Sequence, residues 1–205
     1  MRKLVVGTFL TLDGVMQAPG APDEDRDGGF ANGGWVVPLF DDELGASMTE
    51  WIEGIGALLL GRRTYEIFAS HWPLTGPDDP IGAAFARVPK YVASRTLRSA
   101  GWEGTTVIDD VPAAVRALKE EDGDEIQVHG SGELIRTLLR EDLVDELRLI
   151  TFPVVVGAGK RLFGDDAPPA TFELIGATVF PSGTILHTHR RGGALTQGSF
   201  GLETQ

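Results

Sequence analysis

The sequence predicts an α/β domain with a mainly parallel central sheet, flanking helices and an antiparallel hairpin at its C-terminal end. Three observations carry this. Twice, an apolar β-like run breaks at glycine and passes into a helical pattern: residues 57–60 lead to Gly61-Arg62-Arg63-Thr64, and residues 126–128 lead to Gly130-Ser131-Gly132-Glu133-Leu134. The middle of the chain alternates strand with helix, as a parallel sheet requires. Residues 172–180 and 184–189 are β-rich and flank Pro181-Ser182-Gly183, a hairpin turn that places antiparallel strands on the edge of the sheet.

Each element follows from its local pattern. Residues 3–12 are rich in Val, Leu, Phe and Thr and stop at Asp13-Gly14, a buried first strand closed by a turn. Residues 17–34 are crowded with Gly, Pro, Ala and Asp and carry no periodicity, so they read as a mobile lid over a site. Leu44, Met48, Ile52 and Ile55 share one helical face behind the acidic start Asp41-Asp42-Glu43, and that helix ends near Gly54 and Gly56. A short helix is expected from about Thr64, with Pro73 as its terminator, and residues 74–80 read as a second flexible segment. Residues 90–94 and 105–108 are two further strands. Asp109-Asp110 and Pro112 open a helix with Val111, Val115 and Leu118 on one side. The helix after residues 126–128 carries Leu134, Ile135, Leu138 and Leu139. Residues 147–156 form a long β-rich run, either an edge on which a homodimer would build or a central strand hidden by the hairpin. The domain is assigned to residues 1–190, and residues 191–205 to a flexible polar tail.

Composition narrows the function classes. A chain of 205 residues with 42% hydrophobic residues suits one domain with an ample core. Eighteen Lys and Arg against 30 Asp and Glu give a net charge of −12, which opposes non-specific binding to nucleic acid or an anionic membrane, so an anionic ligand needs a local basic site. The absence of cysteine excludes disulfides and thiolate metal sites. With no secretion signal and no long apolar stretch, a cytoplasmic protein acting on a small molecule is expected.

The candidate residues lie where strands end. Gly61, Arg62, Arg63 and Thr64 follow one strand and Ser94 and Arg95 another; ligands of open α/β sheets bind at such carboxyl ends, and paired guanidiniums suit the 2′-phosphate of NADP. Gly130, Ser131, Gly132 and Leu134 form a partial glycine fingerprint at a helix start, where backbone N–H groups favour a pyrophosphate. Glu133 either caps that helix or reaches across to a polar substrate. Asp13 is either ordinary Asp-Gly turn chemistry or an acid that orients or protonates a substrate ring. Trp35 anchors the 17–34 loop by packing or offers a stacking surface for a planar substrate. Asp23, Asp25 and Asp27 resemble the opening of a calcium loop, but Gly34 stands where the closing glutamate belongs. His187 and His189 share a strand face without a third ligand, so no metal site is expected.

Thr11-Leu12-Asp13-Gly14, the segment 59–66, Gly130-Ser131-Gly132-Glu133-Leu134, Leu143-Val144-Asp145-Glu146-Leu147 and the run 153–163 together resemble the dihydrofolate reductase-like superfamily, and within it the reductase domain of the bifunctional riboflavin-biosynthesis deaminase-reductase. The resemblance covers residues 2 to about 190. It implies NADPH as hydride donor and, often, a homodimer. By position, Gly61, Arg62 and Thr64 with Ser94 and Arg95 would hold the adenosine side, Gly130, Ser131, Gly132 and Leu134 the pyrophosphate, and Asp13 would take a substrate or proton-relay role. Without cysteine, the zinc site of a deaminase is not expected. Two classes of function remain open: a reductase of a pterin-like or aminopyrimidine compound, and a non-catalytic ligand-binding dimer on the same fold.

Overall fold

A computed structural model describes residues 1–200. Eight strands form one sheet: β1 (Leu4–Thr11), β2 (Ile55–Gly61), β3 (Lys90–Ala93), β4 (Thr105–Ile108), β5 (Glu125–His129), β6 (Glu146–Phe152), β7 (Thr171–Val179) and β8 (Ile185–Gly193), in the spatial order β4-β3-β2-β5-β1-β6-β8-β7. The first six in that order are parallel neighbours, while β8 runs antiparallel to both β6 and β7. All six parallel strands therefore end on one rim, where the candidate residues collect.

The helices are α1 (Asp42–Glu53), α2 (Arg62–His71), α3 (Pro80–Arg87), α4 (Val111–Glu120) and α5 (Gly132–Arg140). Helices α4 and α5 bury Val115, Leu118, Leu134, Ile135 and Leu138 against Leu4, Val6, Ala57, Leu59, Ile126 and Val128 of one sheet face. The other face meets α1, α2 and α3 through Trp51, Ile52, Tyr65 and Phe85. Gly7 is fixed by the second packing: a Cβ there would lie 1.5 Å from the Trp51 ring, so only glycine lets the indole lie on β1. Trp51 also stacks on the buried His129, with ring centroids 4.9 Å apart.

Several expectations are corrected. Helix α2 starts at Arg62 rather than near Thr64, because Gly61 is its extended N-cap. Residues 80–87, placed after a flexible segment and not read as helical, form α3, capped by the Asp79 carboxylate on the Gly82 N–H at 2.7 Å. The 147–156 run is not an edge. Its strand stops at Phe152 before Pro153, and β6 lies between β1 and β8, so the hairpin hides it and β7 is the edge on that side of the sheet. Strand β8 continues to Gly193, past the start assigned to the tail, and residues 201–205 of that tail lie outside the described residues.

Candidate functional site

The carboxyl ends of β2 and β5 are tied together by one side chain. Ser131 Oγ accepts from the Gly61 N–H at 2.9 Å and lies 2.9 Å from Thr64 Oγ1. To place it there, Gly130 and Ser131 both take left-handed backbone conformations, with φ of +53° and +68°. For serine this is a strained choice, and strain of this kind concentrates at ligand clamps. The turn leaves α5 without a side-chain cap, and α2 likewise starts at Gly61 without one. The other three helices are capped by Asp41, Asp79 and Asp110. The two helix starts without a side-chain cap are thus the two that meet at Ser131, and although Glu133 stands in the first turn of α5, its exposed side chain leaves the first N–H groups of both helices uncapped and able to face an anion. Leu134 is buried in the core, so it contributes only its backbone.

Two strands further along the rim, beyond β3 and at β4, an open cleft of about 690 Å³ is lined by Ser94, Arg95, Leu97, Arg98, Asp109 and Asp110, among others. Ser94 Oγ accepts from the Leu97 N–H at 2.9 Å and holds the turn that presents both arginines. Neither guanidinium pairs with a carboxylate among the described residues. With strands about 4.8 Å apart, the β4 end stands roughly 14 Å from the β5 end, a span suited to the distance between an adenosine phosphate and a pyrophosphate. Arg98 escaped the sequence reading; its signal was its place three residues after Arg95 in the same turn.

Arg62 and Arg63 do not join that cleft. Arg62 faces Glu66 across one helical turn at 3.6 Å. Arg63 turns to the 17–34 loop, 2.8 Å from Asp27 and 3.7 Å from Asp25. Lys160 completes the cluster at 2.6 Å from Asp25 and 3.0 Å from Asp27. Hydrogen bonds from Arg63 and then Lys160 hold the Asp27 carboxyl down at about 2. The loop is therefore bolted to α2 on one side and to the turn after β6 on the other. Gln17 adds to this: its amide nitrogen donates to the Asp25 and Asp27 carbonyls at 3.0 Å, and its oxygen accepts from the Lys160 N–H at 3.0 Å. Instead of a loose lid, the segment is a cross-linked flap.

Of the two readings of Trp35, its contacts are those of an anchor of this flap. It is buried, donates from Nε1 to the Gln17 carbonyl at 2.9 Å, and meets Phe152 edge-on with centroids 5.6 Å apart. Glu133 pairs with Arg136 and its side chain is 87% exposed, which places it at the helix surface. Asp13 sits at the β1 end inside a set of donors: the Thr11 hydroxyl at 2.6 Å, the Gly157 N–H at 2.9 Å, the Val156 N–H at 3.3 Å and Arg161 at 3.5 Å. The Thr11 hydrogen bond, with those from the two backbone amides, holds its carboxyl below the ordinary carboxylate range. An acid so stabilised as the anion is a poor proton donor. It works as a clamp that fixes the turn after β6 against β1.

The chain is similar to several known proteins. The uncharacterized protein YyaP of Bacillus subtilis is 27% identical over 187 residues, covering 90% of this chain and 92% of its own. A putative riboflavin biosynthesis protein of Shewanella sp. PV-4 superposes with a TM-score of 0.66 at 22% identity, covering 92% of this chain and 98% of that one. A diaminohydroxyphosphoribosylaminopyrimidine deaminase/5-amino-6-(5-phosphoribosylamino)uracil reductase of Thermotoga maritima superposes with a TM-score of 0.60 at 18% identity, over 93% of this chain and 56% of that one. The architecture is dihydrofolate reductase-like. The RibD C-terminal domain matches residues 2–186, and the chain belongs to that family.

Proposed function

We propose that the chain, through a domain spanning residues 1–190, is an NADPH-dependent reductase of a small heterocyclic substrate, pterin-like or aminopyrimidine. The observation that carries this is the pair of helix starts without side-chain caps meeting at Ser131, in line with the Arg95–Arg98 cleft. These residues fit a phosphorylated dinucleotide. Gly130, Ser131, Gly132 and the Leu134 backbone would take the pyrophosphate, Gly61 and Thr64 would hold the turn that shapes its seat, and Ser94, Arg95 and Arg98 would take the adenosine side. The chemistry supplied by bound NADPH is hydride donation. The chain's own part is to bind and orient, and the flap anchored by Trp35 packs beside the β1 end. Asp13 holds the floor of that region and leaves the proton to come from water or from the substrate. The resemblance in family and fold supports a homodimer and a cytoplasmic setting, and no helix among the described residues is long and apolar enough to cross a membrane.

The test is titration of the protein with NADPH, followed by a screen of pterins and pyrimidines read as loss of cofactor absorbance. A second reading is favoured by the flap itself: Trp35 and the Asp25–Asp27 ion cluster fill the space over β1, as in a binding dimer that has lost its chemistry. Tight NADPH binding without oxidation by any of these compounds would favour that reading, and no NADPH binding would remove the first.

A further inference from the structure

The two ends of the rim treat positive charge in opposite ways. At the β3–β4 end, Arg95 and Arg98 are unpaired among the described residues and open to a ligand phosphate. At the β1–β6 end the cations are engaged. Arg63 and Lys160 are each shared between Asp25 and Asp27, at distances from 2.6 to 3.7 Å. Arg161 lies 3.5 Å from the Asp13 carboxylate and donates to the Asp13 and Gly157 carbonyls at 2.9 and 2.8 Å. Arg136 is held by Glu133. Arg26, the sole cation of the 17–34 flap, has no carboxylate partner among the described residues and stands in the chain between Asp25 and Asp27. Apart from Arg26, a phosphate dianion entering here would meet cations already in contact with carboxylates, in a chain whose net charge is −12.

We infer that the substrate of this rim carries no phosphate, and that Asp25 and Asp27 set this preference by occupying Arg63 and Lys160. The inference rests on the reductase reading for the identity of the β1–β6 end as the substrate side. It separates this chain from the Thermotoga maritima protein, which is named for a phosphoribosyl substrate. Such a substrate brings a charge that needs a free bidentate or ammonium partner. Specificity of this kind is a difference in affinity, and the carboxylates supply its repulsive half.

The probe is uridine against uridine 5′-monophosphate, compared by calorimetry with NADPH saturating, so that the Arg95–Arg98 cleft is occupied. The expected result is that the wild-type protein binds the monophosphate no more tightly than the nucleoside, while Asp25→Asn/Asp27→Asn binds the monophosphate at least tenfold more tightly than wild type does. Asp27→Asn alone, at a half-exposed position, is the second variant should the double change impair folding, with a smaller gain in the same direction. A wild-type protein that prefers the monophosphate, or variants that gain nothing for it, would overturn the inference. Failure of NADPH to bind would count against the reductase reading only, because the same comparison in Arg95→Ala/Arg98→Ala, run without cofactor, still reports on Asp25 and Asp27.

Discussion

Arg95 and Arg98 stand in their cleft without a carboxylate partner among the described residues, so an incoming phosphate need not displace one. Charge-assisted contacts of this kind are worth about 1.5–3 kcal/mol each. Arg95→Ala is expected to weaken NADPH binding by about 10- to 100-fold and to leave NADH nearly unchanged, read by calorimetry. Equal affinity of the wild-type protein for the two cofactors would remove the argument. Arg62 and Arg63 looked equivalent to Arg95 in the sequence, since all three follow a strand end. What separates them is the position of Glu66 one helical turn on and of Asp27 across the flap, and the second of these is a contact no local pattern reports. His129 makes a different prediction. Burial, with Arg148 nearby, pushes its imidazole from 6.5 down to about 4. The unfolded chain takes up this proton near 6.5 and the folded protein only near 4, so stability is full above about pH 6.5 and falls as pH drops toward 4. The loss amounts to about 3 kcal/mol at most. Thermal melts over this range should show the slope in the wild-type protein and its flattening in His129→Gln. The carboxyls held low, such as Asp27 at about 2, lose their contribution only at lower pH, outside this window.

The flap shows how an element's composition misleads about its order. Gly, Pro and Asp over residues 17–34 read as mobility, yet the Gly34 N–H donates to the Ala18 carbonyl at 2.8 Å, the Val36 N–H to Pro19 at 3.1 Å, and Glu24 accepts from the Gly20 N–H at 2.6 Å. Acidic residues that look solvated in sequence are neutralised by Arg63 and Lys160, which lie far along the chain. Amide exchange of Gly34, Val36 and Lys160 is therefore expected to be slowed in the protein without ligand, and to speed up at high salt as the ion cluster is screened. Exchange at free-chain rates in low salt would refute the cross-linked flap. Elements with a strong period were legible: α1, α4, α5 and the hairpin stand within a few residues of where periodicity puts them. Helix α3 was hidden because Pro80 and Gly82 read as loop residues, while its start depends on the Asp79 cap and its burial on Phe85 packing under Phe68 and Trp72. Strand β6 has the same sequence whether central or at an edge; only the return of β8 along it decides, and that pairing joins residues some forty positions apart.

At the scale of the whole molecule, Phe172 at the start of β7 packs against the α4–α5 core, while much of the rest of the β7–β8 hairpin is exposed. The register pairs Leu174 with His189, Ala177 with His187 and Val179 with Ile185, so these residues share the face that carries Leu147 and Leu149 further in. There Leu174 is 58% exposed, Val179 69% and Ile185 39%, around the coupled His187–His189 pair. Strand β7 has nine residues and one charge, Glu173, with no lysine or proline to guard it. A net charge of −12 opposes self-association everywhere except on such an uncharged patch, so a homodimer should form by joining two hairpins rather than through the 147–156 run, which β8 covers. Light scattering at low micromolar concentration should give twice the chain mass of 22.0 kDa, and Leu174→Lys/Val179→Lys should return it to the monomer with the fold intact by circular dichroism. A monomeric wild-type protein would end the dimer argument, and a dimer that survives the double lysine would move the interface off the hairpin; both leave the cofactor rim untouched, because it lies at the carboxyl ends of β2, β3, β4 and β5, on the far side of the sheet from β7.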